Sequence, residues 1–193
     1  RGACSRRGLP GSCGPHHRGA GVRRFKAIKM AALGLLAGAL SLAGAARGDD
    51  DPSFLAISAG AFDVSKEQTA GEFRVEYRGR KLLGPVKPLL GVMTTTDSAL
   101  YGYFGLGVDI YFGPRIVLLP SASIGLYDDG HGKPLGHVVE FRTGAELAYR
   151  FDDRSRLGIA IHHISNAGLG EKNPGEESIV LTYAVPLEKI IGR

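Results

Sequence analysis

The chain has 193 residues, 44% apolar and 22% charged, which fits one ordinary domain, and no apolar run is long enough to cross a bilayer as a helix. The formal charge of +5 does not describe the whole molecule, because eight basic residues and no acidic ones precede Ala46, and beyond that point the 19 acidic residues outnumber the basic ones. No nucleic-acid partner is read from this balance. Both cysteines, Cys4 and Cys13, lie in the same basic leader, so the rest of the chain has no thiol for a disulfide, a metal site or nucleophilic attack.

The leader comes first in chain order. Arg23, Arg24, Lys26 and Lys29 precede an apolar stretch from Met30 to Leu40, and Ala43-Gly44-Ala45 supplies small residues in an A-x-A cleavage pattern. This reads as a secretory signal peptide with its hydrophobic region and cleavage site within residues 30–45. The stretch is too short and too rich in Gly and Ala to serve as a membrane anchor. Residues 1–29 are Gly- and Arg-rich and receive no fold; they belong either to the signal n-region or upstream of the true start.

From Phe54 onward, β-favouring stretches alternate with turn residues and no 3.6-residue stripe is present. Eight strands are expected, at 54–62, 71–79, 86–93, 100–112, 115–127, 136–151, 156–165 and 177–186, so residues 46–193 read as an all-β, eight-stranded antiparallel barrel. Parity then separates a membrane barrel from a soluble, lipocalin-like one. Glu72, Arg74, Glu76 and Arg78 oppose Phe73, Val75 and Tyr77; in the fourth strand Leu100, Phe104, Leu106 and Val108 oppose Tyr101, Tyr103, Gly105, Gly107 and Asp109. Small and polar residues suit a narrow interior, and the opposite face suits lipid. Every second connection is long and polar (63–70, 94–99, 128–135 and 166–176), as in a transmembrane barrel of the bacterial outer membrane with long outer loops and tight periplasmic turns.

The seventh strand ends in His163-Ile164-Ser165-Asn166-Ala167-Gly168, and the next begins after Asn173-Pro174-Gly175-Glu176-Glu177. His163 and Ser165 stand at i and i+2, on one face, which sets an imidazole beside a hydroxyl that needs a base to become nucleophilic. The antiparallel pairing brings Glu177 near His163, where a carboxylate can fix the imidazole tautomer. All three share faces with aliphatic residues, so they are expected on the lipid side, where ionisable groups are costly without a function. Solvated rim residues are the plainer account of a lone His-x-Ser, and a non-catalytic barrel with a structural or adhesive role is the alternative. Glu176, of opposite parity, competes as the acid if a bulge occurs near Gly175. His162 points to the interior.

On these residues the chain resembles the PagL family of outer-membrane lipid A 3-O-deacylases. The resemblance is carried by His163-x-Ser165-Asn166-Ala167 and Glu177, with weaker support from Gly107-x-Asp109 before Arg115 and from Leu135-Gly136 before Glu140-Phe141-Arg142. It implies a serine hydrolase that removes the ester-linked 3-hydroxyacyl chain of lipid A, with His163 as base, Ser165 as nucleophile and Glu177 as orienting acid. Asn166 and Gly168 are implied as oxyanion or positioning groups. The resemblance implies no cofactor and no metal. Lipid A or lipopolysaccharide is the implied substrate, outer-membrane lipids are the surroundings, the active site lies near the outer leaflet, and a homodimer stays open beside a monomer. The chain closes on Ile190-Ile191-Gly192-Arg193, without the terminal aromatic residue that many outer-membrane barrels carry, a departure that does not touch the site.

Overall fold

The computed structural model describes residues 51–65 and 69–192, so the signal-peptide reading of residues 30–45 and the unassigned 1–29 lie outside the described residues. Nine strand segments follow one another: β1 (Phe54–Phe62), β2 (Ala70–Arg78), β3 (Val86–Thr95), β4 (Leu100–Val108), β5 (Ile110–Phe112), β6 (Ile116–Asp128), β7 (Val139–Arg150), β8 (Arg156–Ser165) and β9 (Glu176–Pro186). One helical turn, α1 (Leu187–Ile190), ends them. Each pairs antiparallel with its neighbours, β1 pairs with β9, and β6 pairs with both β4 and β5, which closes the sheet into a barrel. β4 and β5 are two halves of one stave, so the barrel has the expected eight.

The expected fourth strand is interrupted at Asp109, whose carboxylate is drawn inward to Lys87 and Arg156. The start of the β7 stave also differs from the sequence reading. Leu135 to Val138 are not strand, because Gly136 takes φ +93° and packs so closely on the Lys172 carbonyl that a Cβ would lie 2.3 Å from its oxygen. β7 therefore begins at Val139 rather than Gly136.

The two faces sort as a membrane barrel requires. Glu72, Arg74, Glu76 and Arg78 are buried, while Phe73, Val75 and Tyr77 on the same strand are exposed, with Phe73 at 55%. Phe104, Leu90, Leu147 and Ile159 continue this apolar outer surface around the barrel. A soluble carrier would have the reverse arrangement, with apolar residues lining the interior. In water such a surface would be a large unsatisfied patch; in hydrocarbon it is matched to its solvent, and closure pairs the strand edges that lipid could not satisfy.

Many of the interior charges stand in partnered groups. Arg78 grips Glu146 through two bonds of 2.9 and 2.6 Å and donates a third, of 2.9 Å, to Glu76. Tyr103 donates to the other Glu76 oxygen at 2.7 Å, and the Arg142 guanidinium lies 4.3 Å from the centre of its ring. Near the opposite end, Arg156 bonds Asp51, Asp109 and Tyr111 and stacks on Phe54. Breaking one partner of a buried pair costs about 3–5 kcal/mol, because the other charge is stranded away from water. His162 fits the interior only because Gly144 faces it: a Cβ there would fall 2.1 Å from Nδ1. Toward the end bearing the longer loops, Phe62, Met93, Tyr101, Tyr127, Leu135 and Ile164 form a buried cluster that packs the interior.

Candidate active site

At that end of the barrel, β8 and β9 run in register without a bulge, placing His163 opposite Glu177 and Ile164 opposite Glu176. Strand alternation then decides which groups meet. His163 and Glu177 face outward, with side chains 47% and 43% exposed, and His163 Nδ1 lies 3.2 Å from Glu177 Oε1. Glu176 and His162 turn inward and are buried. Glu176 instead accepts a 3.4 Å bond from the Asp63 amide, so its geometry serves the barrel and not the imidazole.

Ser165 is two residues beyond His163 on the same face and half-buried, beside Phe141 on β7. Two residues of strand separate the Cα atoms by about 6.6 Å. The imidazole of His163 bonds Glu177, and among the described residues no hydrogen bond joins it to Ser165. With Nδ1 turned toward Glu177, Nε2 is the nitrogen left for the hydroxyl, and such bonds commonly tighten only when substrate is present. Down the lipid face, the rungs next to the His163–Glu177 pair are Ile161–Ile179 and then Ile159–Leu181. Ala61 and Ala59 on β1 continue these two rungs. The small side chain of Ala59 lies in an apolar groove between Phe73, Val92, Leu157, Leu181 and Tyr183.

The turn after Ser165 is held by Asn166, which is fully buried. Its side-chain amide donates to the carbonyls of Leu135 at 2.9 Å and Lys172 at 2.7 Å, and its Oδ1 accepts the Gly168 amide at 2.9 Å. Asn173 Oδ1 accepts the Asn166 backbone amide at 3.1 Å. Ala167 and Gly168 both take left-handed φ values, +53° and +88°. In this conformation the side-chain amide and backbone N–H of Asn166 and the N–H of Gly168 are all bonded within the loops that form the turn.

Three residues, Ser65, Lys133 and Gly175, make contacts around the pair that are not spelled out by the sequence. Ser65, on the β1–β2 loop, donates to Glu177 Oε2. Lys133, on the β6–β7 loop, reaches Asp63 Oδ1 at 2.6 Å and the Gly175 carbonyl at 2.7 Å. Gly175 takes φ +59°, and a Cβ on it would lie 3.0 Å from His163 Cε1. Ser65 is 112 residues from its partner and Lys133 is 42 from Gly175, so no local spacing announces either; only the left-handed preference of Gly175 leaves a trace.

Comparison with known proteins agrees with this arrangement at the level of family and fold. The family model "Lipid A 3-O-deacylase (PagL)" matches residues 73–186, more than half of the chain and all of the strands that carry His163, Ser165 and Glu177. No curated protein matches the chain by sequence. Among solved structures, the outer-membrane enzyme PagL superposes with a TM-score of 0.53 at 20% identity, covering 69% of this chain and 99% of that one. Neisserial surface protein A gives 0.53 at 10% identity, covering 71% and 97%. A de novo designed transmembrane β-barrel gives 0.50 at 14%, covering 70% and 96%. These likenesses establish a small outer-membrane barrel fold, and the family match adds the chemistry: the chain belongs to the lipid A 3-O-deacylase (PagL) family.

Proposed function

We propose that this barrel is a serine esterase that hydrolyses the ester-linked 3-hydroxyacyl chain of lipid A, with Ser165 as nucleophile, His163 as general base and acid, and Glu177 as the group that fixes the imidazole. The observation that carries this reading is the His163–Glu177 pair, 3.2 Å apart, on the lipid-facing surface beside Ser165. Ionisable side chains are rarely placed toward hydrocarbon without a task, and a substrate that is itself a membrane lipid accounts for the placement.

The reaction follows the general logic of a hydroxyl, an imidazole and a carboxylate. His163 Nε2 takes the Ser165 proton as Oγ attacks the ester carbonyl. The tetrahedral intermediate then expels the sugar 3-oxygen, which receives that proton from His163 as the acyl group remains on Ser165. Water attacks the acyl-serine and gives a proton to His163, which passes it to Ser165 Oγ as the fatty acid leaves. Glu177 stabilises the imidazolium in both halves. Asn166 and Gly168 hold the turn that follows the nucleophile, and a donor to the oxyanion is worth a few kcal/mol where it is already positioned.

The apolar groove below the pair fits the acyl chain being removed, with the sugar at the level of the loops. This orientation sets the longer loops toward the cell exterior and the site at the outer leaflet. The test is to incubate the purified barrel with lipid A and, separately, with glycerophospholipid, and to identify the released fatty acid. Release of a 3-hydroxy fatty acid from lipid A alone supports the assignment; release from the phospholipid instead moves the enzyme to another lipid ester.

A further inference from the structure

Three side chains are assigned to the reaction under the deacylase reading, and the structure places a fourth, the hydroxyl of Ser65, in hydrogen-bond contact with one of them, Glu177. Glu177 presents one carboxylate oxygen, Oε1, to His163 and the other, Oε2, to the hydroxyl of Ser65. This contact is not an accident of a loose loop. The neighbouring amide of Val64 donates to the Glu177 carbonyl at 2.9 Å, so the segment that carries Ser65 is tied by its backbone to the residue whose side chain it bonds. Asp63, one residue earlier, has a left-handed φ of +56°, donates its amide to Glu176, and accepts from Lys133. Residues 63–65 are thus fastened at three successive points to the start of β9 and to the β6–β7 loop.

The Glu177 carboxylate is 43% exposed, and its two oxygens face two different partners. A charge-assisted hydrogen bond to its second oxygen fixes the plane of the group and so fixes the imidazole that leans on it. We infer that Ser65 is a positioning residue of the active site, orienting Glu177 through Oε2 so that His163 is held for Ser165. It acts through Glu177 and does not itself touch the reacting atoms. The inference rests on the triad reading, and it predicts a consequence that neither folding nor substrate binding would produce: the Ser65 hydroxyl matters only while Glu177 is a carboxylate.

The experiment is a double-mutant cycle on the full chain, with Ser65→Ala, Ser65→Thr, Glu177→Ala and Ser65→Ala/Glu177→Ala. Each variant is first confirmed as a folded barrel by its retained heat-dependent gel mobility. Hydrolysis of lipid A gives kcat and KM, and the rate of labelling of Ser165 by a fluorophosphonate reports the nucleophile independently of lipid A. Ser65→Ala is expected to lower kcat and the labelling rate about tenfold with KM unchanged, the loss of one hydrogen bond to a charged group. Ser65→Thr restores most of both, and in the Glu177→Ala background removal of the Ser65 hydroxyl has no further effect.

Equal losses in both backgrounds, a change confined to KM, or no loss at all overturns the positioning role. If the parent labels at Ser165 but leaves lipid A intact, the substrate assignment fails, and the labelling rates alone decide the role of Ser65. A parent that neither labels nor hydrolyses overturns both.

Discussion

Lys133 donates a 2.7 Å hydrogen bond to the carbonyl of Gly175, the residue over which the imidazole of His163 lies. The same ammonium holds Asp63 at 2.6 Å, so one buried cation fastens the β1–β2, β6–β7 and β8–β9 loops around His163 and Glu177. The surroundings of the His163 imidazole are therefore set by residues from three separate loops.

Substitution at Gly175 is expected to be costly to activity in proportion to the side chain added. Gly175→Ala places a Cβ 3.0 Å from His163 Cε1 and holds a non-glycine residue at φ +59°, a strain of about 1–2 kcal/mol. The ring must give way by a few tenths of an ångström, which shifts it relative to Glu177 and Ser165. We expect kcat to fall by at least about tenfold with KM little changed, since a small misplacement of a reacting group lowers the rate without altering ground-state binding. Steady-state hydrolysis of lipid A checks it.

Replacing Lys133 with Met should loosen the loop clasp. The carboxylate of Asp63, fully buried, loses its cation, and an unpaired buried charge costs about 3–5 kcal/mol. Hydrogen exchange should then accelerate at the amides of Asp63, Val64 and Glu177 while the strands below keep their protection. Uniform acceleration through the whole barrel would show that Lys133 acts on global stability instead.

Within the site, the two neighbouring histidines should behave oppositely. Ser165→Ala and His163→Ala are each expected to lower turnover by about three orders of magnitude or more, and the double variant should lose little beyond either single one, because the two act as a unit. Glu177→Gln should cost at least about tenfold, less than a fully buried acid would, since water reaches a half-exposed carboxylate. His162→Gln leaves catalysis close to the parent, because this side chain faces Gly144 and Arg142 inside the barrel.

The interior ion pairs predict a stability effect without a catalytic one. Glu146→Gln removes a charge that Arg78 contacts at 2.9 and 2.6 Å, and should destabilise the folded barrel by about 3 kcal/mol or more. Urea unfolding in lipid vesicles measures it. Activity per folded molecule should be unchanged, since the pair lies on the inner face, away from the His163–Glu177 rung.

The groove on the outer face predicts chain-length dependence. Ala59→Phe fills the space between Phe73 and Leu181, its cross-strand partners on either side. Hydrolysis of long-chain lipid A should fall while a short-chain ester of the same alcohol is cleaved at the parental rate. Equal losses on both would separate the groove from the acyl chain.

Strand parity makes most of this arrangement legible in the sequence. A period of two, with Glu72, Arg74, Glu76 and Arg78 against Phe73, Val75 and Tyr77, fixes inside and outside, and it also carries His163 and Glu177 to the outer face while sending His162 and Glu176 inward. Local pattern does not carry what the barrel decides as a whole. The break at Asp109 comes from Lys87 and Arg156, and the late start of β7 comes from Gly136 packing against Lys172, which its own neighbours do not announce. The amide of Asn166, directly after Ser165, donates to the carbonyl of Lys172 on its own loop and to that of Leu135, which only the β6–β7 connection brings to it.

The most direct test is mass spectrometry of lipid A from the outer membranes of cells producing the parent chain or Ser165→Ala, both shown to be folded there. Loss of one 3-hydroxyacyl group is expected in cells carrying the parent, and intact lipid A in cells carrying the variant. Intact lipid A in both, or the same loss in both, would contradict the claim that Ser165 on this lipid-facing surface is the nucleophile of a lipid A deacylase.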